Sequence, residues 1–188
     1  ACYDEFVTRL VEKTSQINVG YGEEADTFMG PLISENIRKR YRRYLLALKE
    51  AGHEPLLEGG SARIRNRKGF YVTPSVYNVN WEKESNFLND EPPGPVLMVY
   101  KVDGWQDAVA LHNKLVYRVS ASVFVPLNHI GLPDMLARLK TGALNLNRGS
   151  IGSSLRLPSV GLGRSSNGLP AGIDLLRFLS TPRSTLVE

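Results

Sequence analysis

The sequence predicts an α/β fold, a layered αβα arrangement with a central, mainly parallel sheet. Two observations support this prediction. In the second half of the chain, short apolar runs typical of strands alternate with amphipathic helical patterns, and this order requires parallel strands joined by helices. The chain also has 188 residues, of which 42% are hydrophobic. That length and composition suffice for one domain with a substantial core.

Two amphipathic helices are predicted in the first part of the chain. The first begins at Tyr3 and ends near Ile17, because its apolar residues recur at the spacing of one helical face. The second follows Ser34, a favoured N-cap residue, and Glu35 in its first turn complements the helix dipole. Gly52 provides a natural C-terminal stop.

Three strands are predicted next. Residues 54–57 form a short candidate, and residues 70–77 form another that is interrupted by Pro74. Because proline cannot donate to a ladder, we expect that second strand to lie at an edge or to be irregular. Residues 96–100 are a continuous apolar run, which predicts a strand buried on both faces.

The second half of the chain supplies the alternating elements. Asp103 is expected to cap a helix over residues 104–114, which would turn Ala108, Val109, Leu111 and His112 inward. Residues 148–168 are rich in Gly, Ser and Arg and predict a long loop, and loops of this length are usually functional or disordered. The remaining predictions are a strand at 120–125, a helix with Pro133 in its first turn, a strand at 143–146, an apolar segment at 173–179 and an extended tail.

The composition excludes several classes of function. The formal net charge of +4 is too small to indicate nucleic-acid binding. Cys2 is the only cysteine, so an internal disulfide and a cysteine-based zinc site cannot form. Neither a membrane-spanning apolar run nor a signal peptide is visible. We therefore expect a cytoplasmic protein with no nucleic-acid, membrane or metal partner.

Several motifs occur in a fixed order along the chain. Residues 89–97 read Asn-Asp-Glu-Pro-Pro-Gly-Pro-Val-Leu, and a Gly-Phe-x-x-x-Pro-x-Val segment lies upstream at 69–76. In this order and spacing the chain resembles the catalytic domain of NAD(P)-dependent aldehyde dehydrogenases. The other matching segments are 3–6, 19–20, 29–34, 113–124, 142–147 and 158–168.

The Gly-rich tail resembles one branch of that family, whose enzymes act on semialdehydes derived from glutamate in amino-acid catabolism. Ser165-x-Asn167 and Pro182-x-Ser184-x-Leu186-x-Glu188 are similar to N-succinylglutamate semialdehyde dehydrogenase. Asn147-Arg148 and Ala171-Gly172 resemble pyrroline-5-carboxylate dehydrogenase, which ranks second after that enzyme. In that branch the backbone N–H groups of Gly152 and Ser153 would bind the substrate carboxylate, and small residues allow the backbone to approach the anion.

The resemblance also implies a cofactor, and it implies which of the family's functional residues this chain carries. Glu91 matches the family glutamate that hydrogen-bonds the nicotinamide ribose of NAD or NADP. The family's nucleophilic cysteine, general base and dinucleotide-binding domain lie upstream of the segment that this chain matches, so Cys2 is not the expected nucleophile. We expect no catalytic residue in this chain and no turnover of a small-molecule aldehyde by the chain alone.

The resemblance implies a domain organisation as well. Residues 1–179 would be part of a catalytic domain, and residues 180–188 a tail that serves as an oligomerisation arm in a homo-oligomer. The alternative is a degenerate, non-catalytic module of the same fold, which is kept for assembly or partner binding.

Other interpretations remain open at individual positions. Glu91 is either a cofactor ligand or a solvated loop carboxylate, and Gly152 and Ser153 are either a substrate site or an ordinary loop. The basic run at 38–43 is interpreted as the solvent face of the second helix, with a nucleic-acid patch as the alternative. Where the family has glycine or an aromatic residue, this chain has Pro92-Pro93, Arg118, Ser159-Val160 and Ser165-Ser166. Replacing glycines with larger residues predicts backbone strain.

Overall fold

The computed structural model describes residues 2–81, 89–152, 154, 156–166, 171–181 and 183–187. The chain divides into two compact units, an N-terminal unit (Ala1–Lys101) and a C-terminal unit (Val102–Glu188). Helices and parallel strand pairs occur in both units. The predicted α/β class is therefore confirmed.

The N-terminal unit begins with helices α1 (Tyr3–Ser15) and α2 (Glu35–Glu50). The hydroxyl of Ser34 accepts a hydrogen bond from the backbone N–H of Ile37 at 3.2 Å, so it caps α2 as predicted. After the helix, Gly52 has a φ of +75° and donates its N–H to the carbonyl of Lys49 at 2.9 Å. A glycine ends the helix here because only glycine adopts this conformation without cost.

A three-stranded sheet follows, in the order β1-β2-β3: β1 is Glu54–Leu57, β2 is Ser75–Asn78 and β3 is Val96–Val99. The β1–β2 pair is antiparallel and the β2–β3 pair is parallel, with Ser75 opposite Val96. Of the two expectations for the strand around Pro74, the edge position is wrong, because β2 begins one residue after that proline and lies between β1 and β3. The irregular alternative is confirmed, because Phe70 and Val72 form only isolated bridges before the ladder begins at Ser75. Leu97 is 47% exposed, so β3 is not buried on both faces.

The core of this unit lies between α2 and the sheet. Tyr41, Leu45 and Leu48 are spaced i, i+4 and i+7, so they share one face of α2, and all three are buried. They pack against β2 and its flanks, through Val72, Tyr77 and Val79. Burying this apolar stripe is the main stabilisation of the helix, since isolated helices of this length are marginal in water.

The C-terminal unit contains α3 (Trp105–Lys114), β4 (Tyr117–Arg118), β5 (Ser120–Val123), α4 (Leu132–Arg138) and β6 (Ala143–Leu146). Strands β5 and β6 are parallel neighbours, and α4 lies between them in the chain. The N-cap of α3 is Gly104 without a side-chain hydrogen bond, so the prediction that Asp103 caps it was one residue early. Val109 is buried as expected, whereas Ala108 is exposed.

Short elements complete the chain: β7 (Pro158–Ser159), β8 (Leu162–Gly163), β9 (Ala171–Gly172) and α5 (Asp174–Phe178). Strand β8 pairs with β4 and β7 pairs with β9, both antiparallel. The segment predicted as one long loop therefore contains two short strands. Among the helices in the described ranges, none has the length and apolar character needed to cross a membrane.

Candidate functional site

Glu91, the predicted cofactor residue, lies in the segment that leads into β3. Its side chain is exposed, and it makes no hydrogen bond or ion pair with the residues that the structure describes. An ionised carboxylate accepts hydrogen bonds through both oxygens. The segment therefore presents an acceptor that a hydroxyl-bearing ligand can use.

The segment that carries Glu91 is fixed at its far end. A Cβ atom on Gly94 would lie 2.6 Å from Cδ2 of Tyr41, so the backbone passes directly over that buried ring. The next residue, Pro95, accepts a hydrogen bond at 2.9 Å from the backbone N–H of Ser75 in β2. Only glycine fits at this crossing, because any side chain would displace the ring.

A buried hydrogen-bond network holds the ring of Tyr41 in place. Its hydroxyl donates to the carbonyl of Thr73 at 2.7 Å and lies 2.9 Å from the hydroxyl of Ser75. Ser75 also accepts from the N–H of Gly59 at 3.1 Å. Burial raises the pKa of Tyr41, so the phenol remains a neutral donor. Sequence reasoning placed Tyr41 on the inward face but missed this supporting role.

The predicted substrate loop follows β6 in the C-terminal unit. Because β5 and β6 are parallel, their carboxyl ends meet at one edge, which is where α/β sheets bind ligands. Asn147 has a φ of +52°, and its amide both accepts from the N–H and donates to the carbonyl of Val125, each at 2.9 Å. This double contact ties the start of the loop to the segment that follows β5.

Gly152 has a φ of +83°, a conformation that side-chain-bearing residues rarely adopt. It is exposed, and a Cβ atom there would meet nothing within 4 Å, so the open space in front of its backbone faces solvent. Its carbonyl accepts a hydrogen bond at 3.3 Å from Nη2 of Arg148, a contact that sequence reasoning missed and that no sequence signal marks. Ser153 lies outside the described residues.

Cys2 carries an exposed thiol at the N-cap of α1. Its carbonyl accepts a hydrogen bond from the N–H of Phe6 at 3.0 Å. Within the described ranges, no group of three or more His, Cys, Asp or Glu side chains could hold a metal ion. A nucleophilic cysteine needs a base or another activating group beside it, and the side chain of Cys2 makes no hydrogen bond or ion pair with the described residues.

The expected backbone strain at the glycine replacements is wrong. Among the described residues that are not glycine, only Asn66 and Asn147 have positive φ. Arg118 instead lies in β4, where its N–H donates to the hydroxyl of Ser165 at 2.8 Å. An extended backbone accommodates any side chain, which explains why the replacements cost no strain. Val160 and Ser166, the other glycine replacements, do not have positive φ either.

His112, on helix α3, has a shifted pKa. Burial lowers its pKa below the ordinary value of 6.5, and the nearby charge of Arg118 lowers it further. A hydrogen bond with the backbone of Lys140 opposes both effects. His112 is therefore a neutral residue of the α3 packing face, as its position in the helical pattern indicated.

The basic run on α2 is largely solvated. Lys39, Arg40, Arg42 and Arg43 are exposed, while Tyr41 is buried. Arg38 differs, because it pairs with Glu35 at 2.5 Å and lies 5.5 Å from the ring centre of Phe70. The interpretation as the outer face of a helix is confirmed.

Comparison with known proteins identifies the family of the chain. The model of the aldehyde dehydrogenase family matches residues 1–185. The alpha-ketoglutaric semialdehyde dehydrogenase of Bacillus subtilis is 29% identical over 169 residues, covering 88% of this chain and 34% of that protein. The 1-pyrroline-5-carboxylate dehydrogenase of Anoxybacillus flavithermus is 30% identical over 151 residues, covering 80% of this chain and 28% of that protein.

Solved structures give the same result. The betaine aldehyde dehydrogenase of Staphylococcus aureus in complex with NAD+ superposes with a TM-score of 0.82 at 26% identity. The match covers 94% of this chain and 35% of the solved one. The chain thus spans about a third of the length of the relatives it matches.

Proposed function

Because the chain belongs to the aldehyde dehydrogenase family, we propose that it is part of an enzyme that oxidises a carboxylate-bearing semialdehyde to the acid, with NAD or NADP as oxidant. N-succinylglutamate semialdehyde is the substrate that the tail motifs favour. The single observation that carries the proposal is the loop after β6, where a positive-φ glycine presents its backbone to solvent beside an arginine.

The cofactor half of the proposal rests on Glu91. Its exposed carboxylate, on a segment fixed by Gly94 and Pro95, suits a hydrogen bond from a ribose hydroxyl. The bound nicotinamide would supply the hydride acceptor of the reaction. The role of Glu91 is to orient the ribose, and a rigid segment makes such orientation effective.

The substrate half rests on Gly152 and Ser153. Backbone N–H groups at a positive-φ turn form a concave donor site that suits an anion. Among the described residues the N–H of Gly152 has no acceptor, so it remains available to a carboxylate. The nearby guanidinium of Arg148 adds positive charge. We propose that this loop recognises the carboxylate that distinguishes a semialdehyde acid from a simple aldehyde.

The relatives support this substrate class. The names of the Bacillus subtilis and Anoxybacillus flavithermus proteins specify a semialdehyde of an organic acid and a cyclic carboxylate. Both substrates carry a carboxylate in addition to the carbonyl or imine carbon. The loop chemistry and these names therefore agree on the substrate class without selecting one compound.

The test uses the natural enzyme that contains this chain, assayed by NAD(P)H formation with semialdehyde acids, with propanal and with betaine aldehyde. We expect preference for semialdehyde acids. Gly152→Ala should raise KM for them about tenfold, because alanine disfavours the φ of +83° and so turns the backbone N–H away from the carboxylate, and it should leave propanal oxidation unchanged. Gly149→Ala is the matched control, since a Cβ there meets nothing within 4 Å and φ is not positive.

The test of the cofactor residue compares Glu91→Gln with Asp90→Asn, a substitution at the exposed neighbouring residue. Only Glu91→Gln should raise KM for the dinucleotide, because a charged acceptor to a hydroxyl is weakened to a neutral one. Equal KM values in the two variants would remove Glu91 from the proposal. A preference for propanal or betaine aldehyde over the semialdehyde acids would overturn the substrate class.

A second candidate is a degenerate, non-catalytic module, favoured by one observation. Pro92-Pro93 directly follows Glu91 in this chain and stiffens the backbone next to the cofactor residue. Absence of any dinucleotide-dependent oxidation by the natural protein would favour this candidate.

The lone, exposed Cys2 accords with a reducing compartment, and we propose a cytoplasmic location on that basis.

A further inference from the structure

A cleft of about 440 Å³ lies between α3 and α4 in the C-terminal unit. We propose that it binds a small aryl carboxylate, with the ring against the indole of Trp105 and the carboxylate at Lys140 and Arg138. The volume is within the range of small-molecule sites. This inference is independent of the proposed enzymatic function. The lining consists of Trp105, Gln106, Val109, Ala110, Asn113, Ala137, Arg138 and Lys140.

The width of the cleft is fixed by Asn113. The side-chain amide of this α3 residue donates to the carbonyl of Arg138 and accepts from the N–H of Lys140, each at 2.9 Å. Both hydrogen-bonding functions of the amide are thus used to join the two helices at one end. A ligand therefore meets a preformed site and does not have to order it.

The indole of Trp105 is held in place at the end of the cleft opposite Asn113. A Cβ atom on Gly131 would lie 2.7 Å from Nε1 of Trp105, so the backbone before α4 packs against the edge of the indole. The N–H of Gly131 donates to Nδ1 of His129 at 3.0 Å, which holds that backbone in place. An indole restrained in this way offers a rigid surface for stacking with another ring.

The remaining lining is apolar at the floor and cationic at the rim. Val109 is buried, and Ala110 and Ala137 are too small to fill the space above it. No carboxylate is among the described residues that line the cleft. The side chain of Lys140 makes no ion pair within the described part of the chain. This combination of an apolar floor with an unopposed Lys140 and an exposed Arg138 matches an anion that has an apolar body.

Arg138 can contribute to the same ligand. Its only described ion pair is with Asp134 at 3.5 Å, and both side chains are 64% exposed. Such exposed pairs contribute little to stability, so the guanidinium can turn to a bound carboxylate at small cost. A planar carboxylate accepts two parallel hydrogen bonds from a guanidinium, which a neutral ligand cannot do.

The test titrates phenylacetate into the 188-residue chain and follows the two indole N–H signals by NMR. Trp105 and Trp81 are the only tryptophans, and Trp81 lies in the N-terminal unit, so it serves as an internal control. Trp81→Phe assigns the two signals. We expect a saturable shift of the Trp105 signal alone, with weaker binding at higher ionic strength.

Three variants locate the contacts. Lys140→Met should raise Kd by about two- to fivefold, the range expected for an exposed ion pair. Ala110→Phe should abolish saturation by filling the cleft, and Arg156→Met, an exposed arginine elsewhere in the unit, should leave Kd unchanged. Phenylethanol, the neutral analogue, should bind more weakly than phenylacetate.

Several results would overturn the proposal. They are a shift of both indoles, equal affinity for phenylethanol, saturation that persists in Ala110→Phe, equal Kd values in Lys140→Met and Arg156→Met, and absence of binding up to the solubility limit of phenylacetate. Each variant is judged only after its NMR spectrum shows the dispersion of the parent chain.

Discussion

At Gly94 the backbone crosses the ring of Tyr41 so closely that the position excludes any side chain. The ring cannot retreat, because its hydroxyl is held by Thr73 and Ser75 inside the core. One glycine therefore links the segment carrying Glu91 to helix α2. The contact is steric only, since φ at Gly94 is not positive.

We predict that Gly94→Ala lowers the free energy of unfolding by about 1–3 kcal/mol, the usual cost of an overpacked core. Urea denaturation measures this loss. Gly60→Ala in the same unit is the control, because a Cβ there meets nothing within 4 Å, and it should change stability by less than about 0.5 kcal/mol. Equal denaturation midpoints for the two variants would show that the ring can move.

Residue-scale prediction from sequence succeeded where a local rule applies. The Ser34 cap and the Gly52 stop are determined by hydrogen bonding and by backbone conformation within one turn. The contact of Gly94 with Tyr41 joins residues far apart in the chain, so no local rule reveals it. The prediction of backbone strain at Arg118 was wrong for a similar reason. The backbone conformation there is determined by pairing with β8, a strand that is distant in the chain.

At the scale of elements, α3 carries a titratable group on its packing face. His112 is half-buried, and its neutral form is favoured in the fold because burial penalises the imidazolium. The unfolded chain exposes this histidine to water, so it binds a proton at higher pH than the folded chain does. Protonation therefore favours unfolding as the pH falls through the ordinary value of 6.5.

We predict that the stability of the chain decreases between about pH 7.5 and about pH 5, and that His112→Gln reduces this decrease. Above the ordinary pKa both states are neutral, so the variant should show its smallest change in pH dependence there. Urea midpoints across this range measure the effect. Parallel pH profiles for the variant and the parent chain would contradict a role for His112.

The type and bounds of the helices and strands were predicted well from the sequence, and the positions of the strands within their sheets were predicted less well. Helix α2 and strands β1, β3 and β6 appear within a residue or two of their expected bounds. Pro74 predicted either an irregular strand or an edge strand, and the edge alternative is wrong, because pairing with both β1 and β3 places β2 at the centre of its sheet. Partners distant in sequence decide which strand is central, and periodicity carries no information about them.

At the scale of the whole molecule, the C-terminal tail exposes apolar side chains to solvent. Residues 183–187 lie outside helices and strands and are exposed, and Leu186 and Val187 are 94% and 90% exposed. Large apolar side chains at this exposure are typical of a surface that another chain covers. We propose that residues 180–188 form an arm that joins subunits of the natural enzyme, beside a catalytic part comprising residues 1–179.

We predict that Leu186→Asp in the natural enzyme lowers the assembly mass measured by light scattering, because a charge replaces an apolar contact. Thr185→Ala, the exposed neighbour, should leave the mass unchanged. An unaltered mass in Leu186→Asp would show that the arm takes no part in assembly.

The fold class and the family were accessible from sequence because ordered motifs report on the whole chain at once. The division into two compact units could not be predicted from the sequence, since its composition shows no linker near Lys101. The two site predictions, Glu91 and the loop with Gly152, depended on resemblance alone. The features consistent with them are ones that only coordinates show: a carboxylate on a fixed segment with no partner among the described residues, and an open positive-φ backbone.

Asn147 has a consequence for the chemical ageing of the protein. Its side-chain amide imitates a backbone peptide group by bonding both the N–H and the carbonyl of Val125. Deamidation to aspartate would keep the acceptor but replace the donor with a second negatively charged oxygen, which would face the Val125 carbonyl. The loop that follows β6 would then lose its anchor through the slow loss of one ammonia molecule, without any change in the gene.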